Sequence, residues 1–160
     1  MEKQNNIIKV VINSLANIPL VFNKCILYLN VNDENNWKLI SDKALASFDK
    51  TIIKIEDYQR DETFFCFLYN TNIVLNNKIA SINSFSKIVL YKINKQSSEQ
   101  VENKKMYKKI TNEINYLTSA QSIGLLLDEA IKLDKLKTKQ YEYKMKMLLS
   151  LETYEGDYYE

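Results

Sequence analysis

Histidine is absent from this 160-residue chain, arginine and proline occur once each, and glycine and cysteine twice each. Each shortage removes a class of chemistry. Histidine is the side chain whose ordinary pKa lies nearest neutrality, so Ser-His-Asp and Cys-His nucleophile systems, histidine-rich zinc sites and HExxH metalloproteases are excluded together. Phosphate-cradling loops need several glycines at a strand-to-helix turn; Gly124 and Gly156 stand far apart, so neither a P-loop nor a dinucleotide fingerprint exists. No cofactor is expected. Cys25 and Cys66 sit within apolar runs and not in a CxxC pair, and read as buried free thiols. Arg60 alone is available for bidentate contacts to phosphate or guanine.

Long apolar runs are missing too. The nearest, from Asn17 to Val31, is interrupted by Pro19, Asn23, Lys24 and Asn30, whereas a membrane span needs about 18 or more apolar residues in a row. The first residues carry Glu2 and several Asn, and no signal-peptide apolar region follows. The chain is therefore expected to work in the cytoplasm, away from the membrane.

Lysine (21), isoleucine (18) and asparagine (18) dominate what remains. Their codons are AT-rich, whereas those of Arg, Gly and Pro are mostly GC-rich, so the composition implies an AT-rich genome: a bacterium, its phage or a mobile element. Apolar residues make up 46% and charged residues 26%, as in folded globular chains. A net charge of +2 supplies little field to steer the chain toward nucleic acid or anionic lipid.

Along the chain, Ile7, Ile8, Val11, Ile12 and Leu15 recur at helical spacing with Asn5 or Asn6 as cap, but their β-branching suits a strand, so residues 5–16 stay open between the two. Cys25–Val31 reads as a buried strand, and Asp33 as the cap of a helix carrying Trp37, Ile40, Ala44, Leu45 and Phe48. From Thr51 to Asn94, apolar runs at 51–56, 63–69, 72–75, 78–82 and 87–93 alternate with polar turns, of which 59–62 and Asn76-Asn77 suit hairpins. Residues 95–105 hold one apolar residue, Val101, and read as a linker or exposed loop. Met106, Ile110, Ile114 and Leu117 then mark a helix. Ser119 or Ser122 caps a second through Ile123, Leu126, Leu127, Ala130 and Ile131; after the polar stretch 132–140, Tyr141, Met145, Leu148 and Leu149 mark a third. The expected fold is α+β: an antiparallel β-meander packed by one or two helices over residues 1–94, a C-terminal helical arm over 106–152, and a flexible acidic tail over 153–160.

Carboxylates gather at Glu56, Asp57, Asp61 and Glu62, and again at Asp128, Glu129 and Asp134. Either group could hold Mg²⁺ or act as an acid–base pair, but neither has ligand-specific spacing, and a hairpin loop and a solvated helix shoulder explain them. Lysines form two groups: Lys104, Lys105, Lys108 and Lys109 around Tyr107, and Lys132, Lys135, Lys137, Lys139, Lys144 and Lys146 among Tyr141 and Tyr143. Basic charge with aromatic rings suits single-stranded nucleic acid. Yet residues 101–151 hold ten lysines against six acidic residues, an excess that any solvated helix face can carry. Tyrosine is the sharper sign. No Phe or Trp follows Phe85, whereas seven of the eleven tyrosines lie from Tyr107 onward, and tyrosine suits half-wet contact surfaces. Tyr154, Tyr158 and Tyr159 in the tail could dock on a basic partner, though chain ends commonly fray.

The expected function is a non-catalytic protein-binding module: an adaptor, an inhibitor or immunity-type protein, or an assembly subunit. Its partner is another protein. Its contact surface includes Tyr107, Tyr116, Tyr141, Tyr143, Lys104, Lys105, Lys108, Lys109, Lys139 and Lys144. Nucleic-acid binding through the same helices is the alternative, and a small metal-dependent hydrolase using the carboxylates is a third.

Overall fold

The computed structural model describes residues 2–15, 18–124 and 126–156, without the side chains of Glu2 and Ser122. Its strands are β1 Ile8–Ser14, β2 Leu20–Asn30, β3 Trp37–Ile40, β4 Ala44–Asp57, β5 Glu62–Asn76, β6 Ile79–Ser84, β7 Leu90–Ile93 and β8 Leu151–Thr153. Its helices are α1 Glu2–Asn5, α2 Glu99–Ala120 and α3 Leu127–Leu149, with one 3-10 turn at Gln121–Ile123. The class is α+β, a sheet followed by a helix pair. The chain falls into two units, one made of residues up to Lys92 together with those from Thr153 on, the other of Ile93–Glu152. Among the described residues no helix is long and apolar enough to cross a membrane.

In the first unit β1, β2, β4, β5 and β6 pair consecutively and antiparallel. β6 then returns beside β1, with Lys9–Ser14 against Ile79–Ser84. Five strands of alternating direction bring the first and fifth together pointing the same way, so this last ladder is parallel and closes the meander into a barrel. Closure matters because an open sheet edge is a row of unpaired N–H and C=O groups. β3 adds to β2, β7 to β5, and β8 follows β7.

Turn chemistry sets the register. Asn32 and Asp33 are both left-handed (φ 58° and 54°) and reverse the chain between β2 and β3, and Asn77 and Lys78 (φ 50° and 61°) do the same between β5 and β6. Between Phe48↔Thr71 and Lys50↔Tyr69 the β4–β5 ladder steps over Asp49 and Asn70 without a change of register, and Asn70 is left-handed (φ 46°).

The interior is filled by apolar side chains from every barrel strand, among them Ile12, Phe22, Leu27, Ile55, Phe64 and Ile82. Phe22 and Phe64 lie 6.1 Å apart, and Tyr154 sets its ring edge-on to Phe64 at 5.1 Å. On the opposite face of β2, β4 and β5, Ile26, Ile52, Phe65 and Phe67 are also no more than 5% exposed. Trp37 packs at a tilt against Phe65 (5.5 Å), and Tyr91 meets Phe67 edge to face (5.6 Å). Burial on both faces explains why these strands read as continuous apolar runs and not as alternation.

Several expectations change. Residues 5–16 contain a strand: Ile8, Val10 and Ile12 are buried and Lys9 between them is exposed, a period of two that a barrel wall rewards. The helix expected after Asp33 is instead β3 and the start of β4. Its apolar positions matched a helical face by coincidence, since Leu45 is 79% exposed while Ile40 is buried. The helix foreseen after Asp33 is thus part of the sheet, and the meander carries one parallel ladder. The runs 63–69 and 72–75 are one strand, joined through the left-handed Asn70. In the tail, Tyr154 belongs to the barrel core and its N–H donates to Leu90 O at 2.8 Å; Tyr158 and Tyr159 lie outside the described residues.

Both cysteines are sealed in the barrel wall. Burial pushes the Cys66 thiol up to about 12, and burial with the nearby Asp57 carboxylate does the same for Cys25. A thiol in the unfolded chain ionises near its ordinary value of 9.0. The proton is therefore held more tightly in the native state, and the stabilisation is complete below pH 9 and is lost as pH rises toward 12. Native protein at pH 8 should leave both thiols unreactive to a disulfide reagent until denaturant is added. The melting temperature should fall between pH 8.5 and 10.5, and Cys66→Ala should reduce that fall.

Candidate functional site

α2 and α3 form an antiparallel hairpin because each carries an apolar stripe at three- and four-residue spacing. Ile110, Ile114 and Leu117 of α2 meet Leu133 and Leu136 of α3, with Met106 and Tyr143 against them. Gln140 Nε2 donates to Thr111 Oγ1 across the pair at 3.1 Å. The polar stretch 132–140 does not end a helix, since Leu133 and Leu136 face inward from it; where three helices were expected there are two. The 95–105 segment is loop only to Ser98: Ser97 Oγ accepts from Glu99 N (3.2 Å), and Glu99 and Glu102 complement the dipole of α2's first turn. At the far end Gly124 takes φ 94°, which side-chain-bearing residues rarely adopt, and Glu129 Oε2 accepts from Leu126 N at 3.1 Å to start α3. Ser119, one candidate cap, lies within α2 and donates to Asn115 O; the side chain of Ser122 lies outside the described residues.

Lys104, Lys105, Lys108, Lys109, Lys139 and Lys144 are all exposed. Of the ten lysines on the two helices, Lys146 alone forms an ion pair among the described residues, with Glu142 at 3.2 Å, and its Nζ stands 4.9 Å from the Tyr143 ring centre. The lysines do not converge. At about 100° per residue, those of α2 point away from the helix–helix seam, while Lys132, Lys135 and Lys139 occupy one flank of α3 and Lys137 and Lys144 the other. The tyrosines separate as well. Tyr116 is 75% exposed, Tyr107 and Tyr143 are half-buried, and Tyr141 is 6% exposed, so Tyr141 is a packing residue and not part of an open surface. Burial raises the Tyr143 phenol above its ordinary value, with the Glu142 and Glu102 carboxylates adding to the effect.

A group of exposed apolar side chains lies at the hairpin's turn, which sequence reasoning assigned to a helix stripe; Val101, near the start of α2, is likewise 75% exposed. Ile123 is 89% exposed, Leu126 74%, Leu127 75% and Ile131 47%, in the same end of the hairpin as Tyr116. A signal existed: residues 114–127 are fourteen in a row without a charge, bounded by Glu113 and Asp128.

The first acidic group has a structural account. Glu56, Asp57, Asp61 and Glu62 border an open cavity of about 270 Å³ together with Lys3, Tyr58 and Thr63. Within it, the Asp57 carboxylate, its side chain wholly buried, accepts from Arg60 Nη1 (2.8 Å) and Gln59 N (2.9 Å). Glu62 pairs with Lys92 at 2.8 Å, and Glu56 accepts from the Tyr28 hydroxyl at 3.4 Å. Among the described residues no three acidic or thiol side chains gather where a metal ion could sit. Nearby, Lys54 Nζ lies 4.3 Å from the Tyr28 ring centre and 5.2 Å from that of Trp37, and burial lowers its pKa.

Comparison with known proteins matches the same division. Residues 9–89 fit the family described as the UU051 N-terminal domain, and residues 104–154 the one described as the C-terminal domain of uncharacterised protein UU051. A protein of Ureaplasma parvum serovar 3 named "Uncharacterized protein UU051" is 37% identical over 149 residues, covering 91% of this chain and 88% of that protein.

Packing and surface tyrosines should respond differently to truncation. Tyr141→Ala is expected to cost about 3 kcal/mol, as loss of a buried ring does, whereas Tyr116→Ala should stay within about 0.5 kcal/mol of the parent. Urea unfolding of the two variants measures both.

Proposed function

From a chain that belongs to the UU051 family and spans both of its domains, we propose a cytoplasmic, non-catalytic protein-binding module that docks a protein partner through the helical hairpin. Adaptor, inhibitor and assembly-subunit roles all fit this reading. The observation that carries it is the turn of the hairpin, where Tyr116, Ile123, Leu126 and Leu127 are at least 74% exposed in an uncharged segment. Monomeric proteins seldom leave apolar side chains clustered in water without use. Tyr107 and the exposed lysines of α2 would form the polar rim that such contacts have. The absence of histidine and of glycine-rich loops supports a role without catalysis.

Nucleic-acid binding is the second reading, and the nine helix lysines that form no ion pair among the described residues favour it. Phosphate contacts release counterions, so such binding weakens steeply with salt.

Affinity capture from the native source, with and without nuclease, separates the two. The protein-binding reading predicts one stoichiometric protein partner that survives nuclease and is lost with Leu127→Asp. Recovery that collapses with nuclease, and that Lys104→Gln with Lys108→Gln reduces while Leu127→Asp does not, would replace it with the nucleic-acid reading.

A further inference from the structure

One wall of the barrel carries an uncharged face whose geometry is independent of the hairpin. Val21, Val11, Ser81, Val74 and Leu45 are successive ladder partners, so a single row crosses all five barrel strands from β2 through β1, β6 and β5 to β4. These positions alternate with the buried residues and point outward; Val21 is 38%, Val74 40% and Leu45 79% exposed. The next outward row holds Asn13, Asn83, Asn72 and Ser47. Leu15 and Phe85, of the same parity and just past the ends of β1 and β6, are 80% and 70% exposed.

None of these eleven positions is charged; charge begins at the border of the face, with Lys9 two residues before Val11 and Asp49 two past Ser47, both exposed. The asparagines are also ordered. Asn13 Nδ2 donates to Asn83 Oδ1 at 3.2 Å, and Asn83 Nδ2 donates to Asn72 Oδ1 at 3.0 Å. The ladder therefore ends in an acceptor, Asn13 Oδ1, over β1 and in a donor, Asn72 Nδ2, over β5.

We propose that this wall is the interface of a homodimer with two-fold symmetry. An uncharged face meets its own copy without like-charge repulsion, whereas a charged protein, a phosphate backbone or an anionic bilayer finds no counter-charge on it. A two-fold axis near Asn83 lays one asparagine ladder antiparallel to the other, so the donor end of each faces the acceptor end of its partner. This is the self-complementarity that an isologous contact requires. The face offers on the order of 600 Å² per copy, at the lower end of specific interfaces, which points to a dimer that dissociates in the micromolar range.

Sedimentation equilibrium of the full chain from about 1 to about 300 µM tests this. A reversible monomer–dimer equilibrium is expected. Val74→Lys with Asn83→Lys, both at exposed positions, should raise the dissociation constant at least tenfold with an unchanged circular dichroism spectrum, and Leu45→Lys should weaken it alone. Leu127→Asp, in the hairpin turn, should leave it unaltered, so failure of the hairpin reading and failure of the dimer are separate results. A chain that stays monomeric throughout, a dimer indifferent to the wall substitutions, or one abolished by Leu127→Asp would overturn the proposal.

Discussion

The parallel ladder between β1 and β6 is the contact on which the rest of the barrel depends. It joins segments some seventy residues apart, Lys9–Ser14 and Ile79–Ser84, and without it both strands would be open edges. Loop closure over that distance carries an entropic cost that only the buried interior repays. Once closed, the barrel seals Cys25, Cys66, Phe22 and Phe64 from water. It also aligns Asn13, Asn83 and Asn72 on three neighbouring strands and brings Ser14 Oγ within 2.6 Å of Ser86 O at the barrel's end. Each of these features is a consequence of register, because a slip of one residue would turn the apolar set outward.

The two units treat charge differently. In the barrel unit the charged groups beside buried surface are matched: Asp57 with Arg60, Glu62 with Lys92, and Lys54 with the faces of Tyr28 and Trp37. The single arginine is spent on a buried carboxylate, where its planar, always-charged group suits the site better than a lysine would. Arg60 therefore has a structural reason to be present. On the helix pair, by contrast, most lysines stand exposed around the hairpin, while apolar side chains are left bare at its turn. On the proposed reading, recognition would use these exposed faces.

On the proposed reading, both faces would select a partner without a distinctive residue. Neither the hairpin turn nor the barrel wall uses a reactive group. Specificity on such surfaces comes from shape, from the placement of a few polar groups, and from the exclusion of charge. The chain belongs to a family defined by the same succession of an N-terminal and a C-terminal domain.

Composition and local pattern by themselves determined the class of the protein, the strand-rich first part, the helical second part, the hairpin connections at 59–62 and Asn76-Asn77, and the lack of histidine and of a glycine-rich phosphate loop. These follow from side-chain chemistry and short-range sterics, which each residue carries with it. What only the tertiary structure decided is which apolar residues are buried. Ile8 and Val11 look alike in the sequence, as do Ile40 and Leu45, or Tyr141 and Tyr116. In each pair the first is buried, while the second is not: Val11 is partly exposed, and Leu45 and Tyr116 are largely exposed. Burial depends on partners that closure and helix pairing bring from distant segments. A period of two and a period of 3.6 also coincide over five or six residues, so the helix expected after Asp33 and the strand observed there satisfy the same short pattern. The long-range ladder resolves that degeneracy, and with it decides which side chains of the barrel stay exposed.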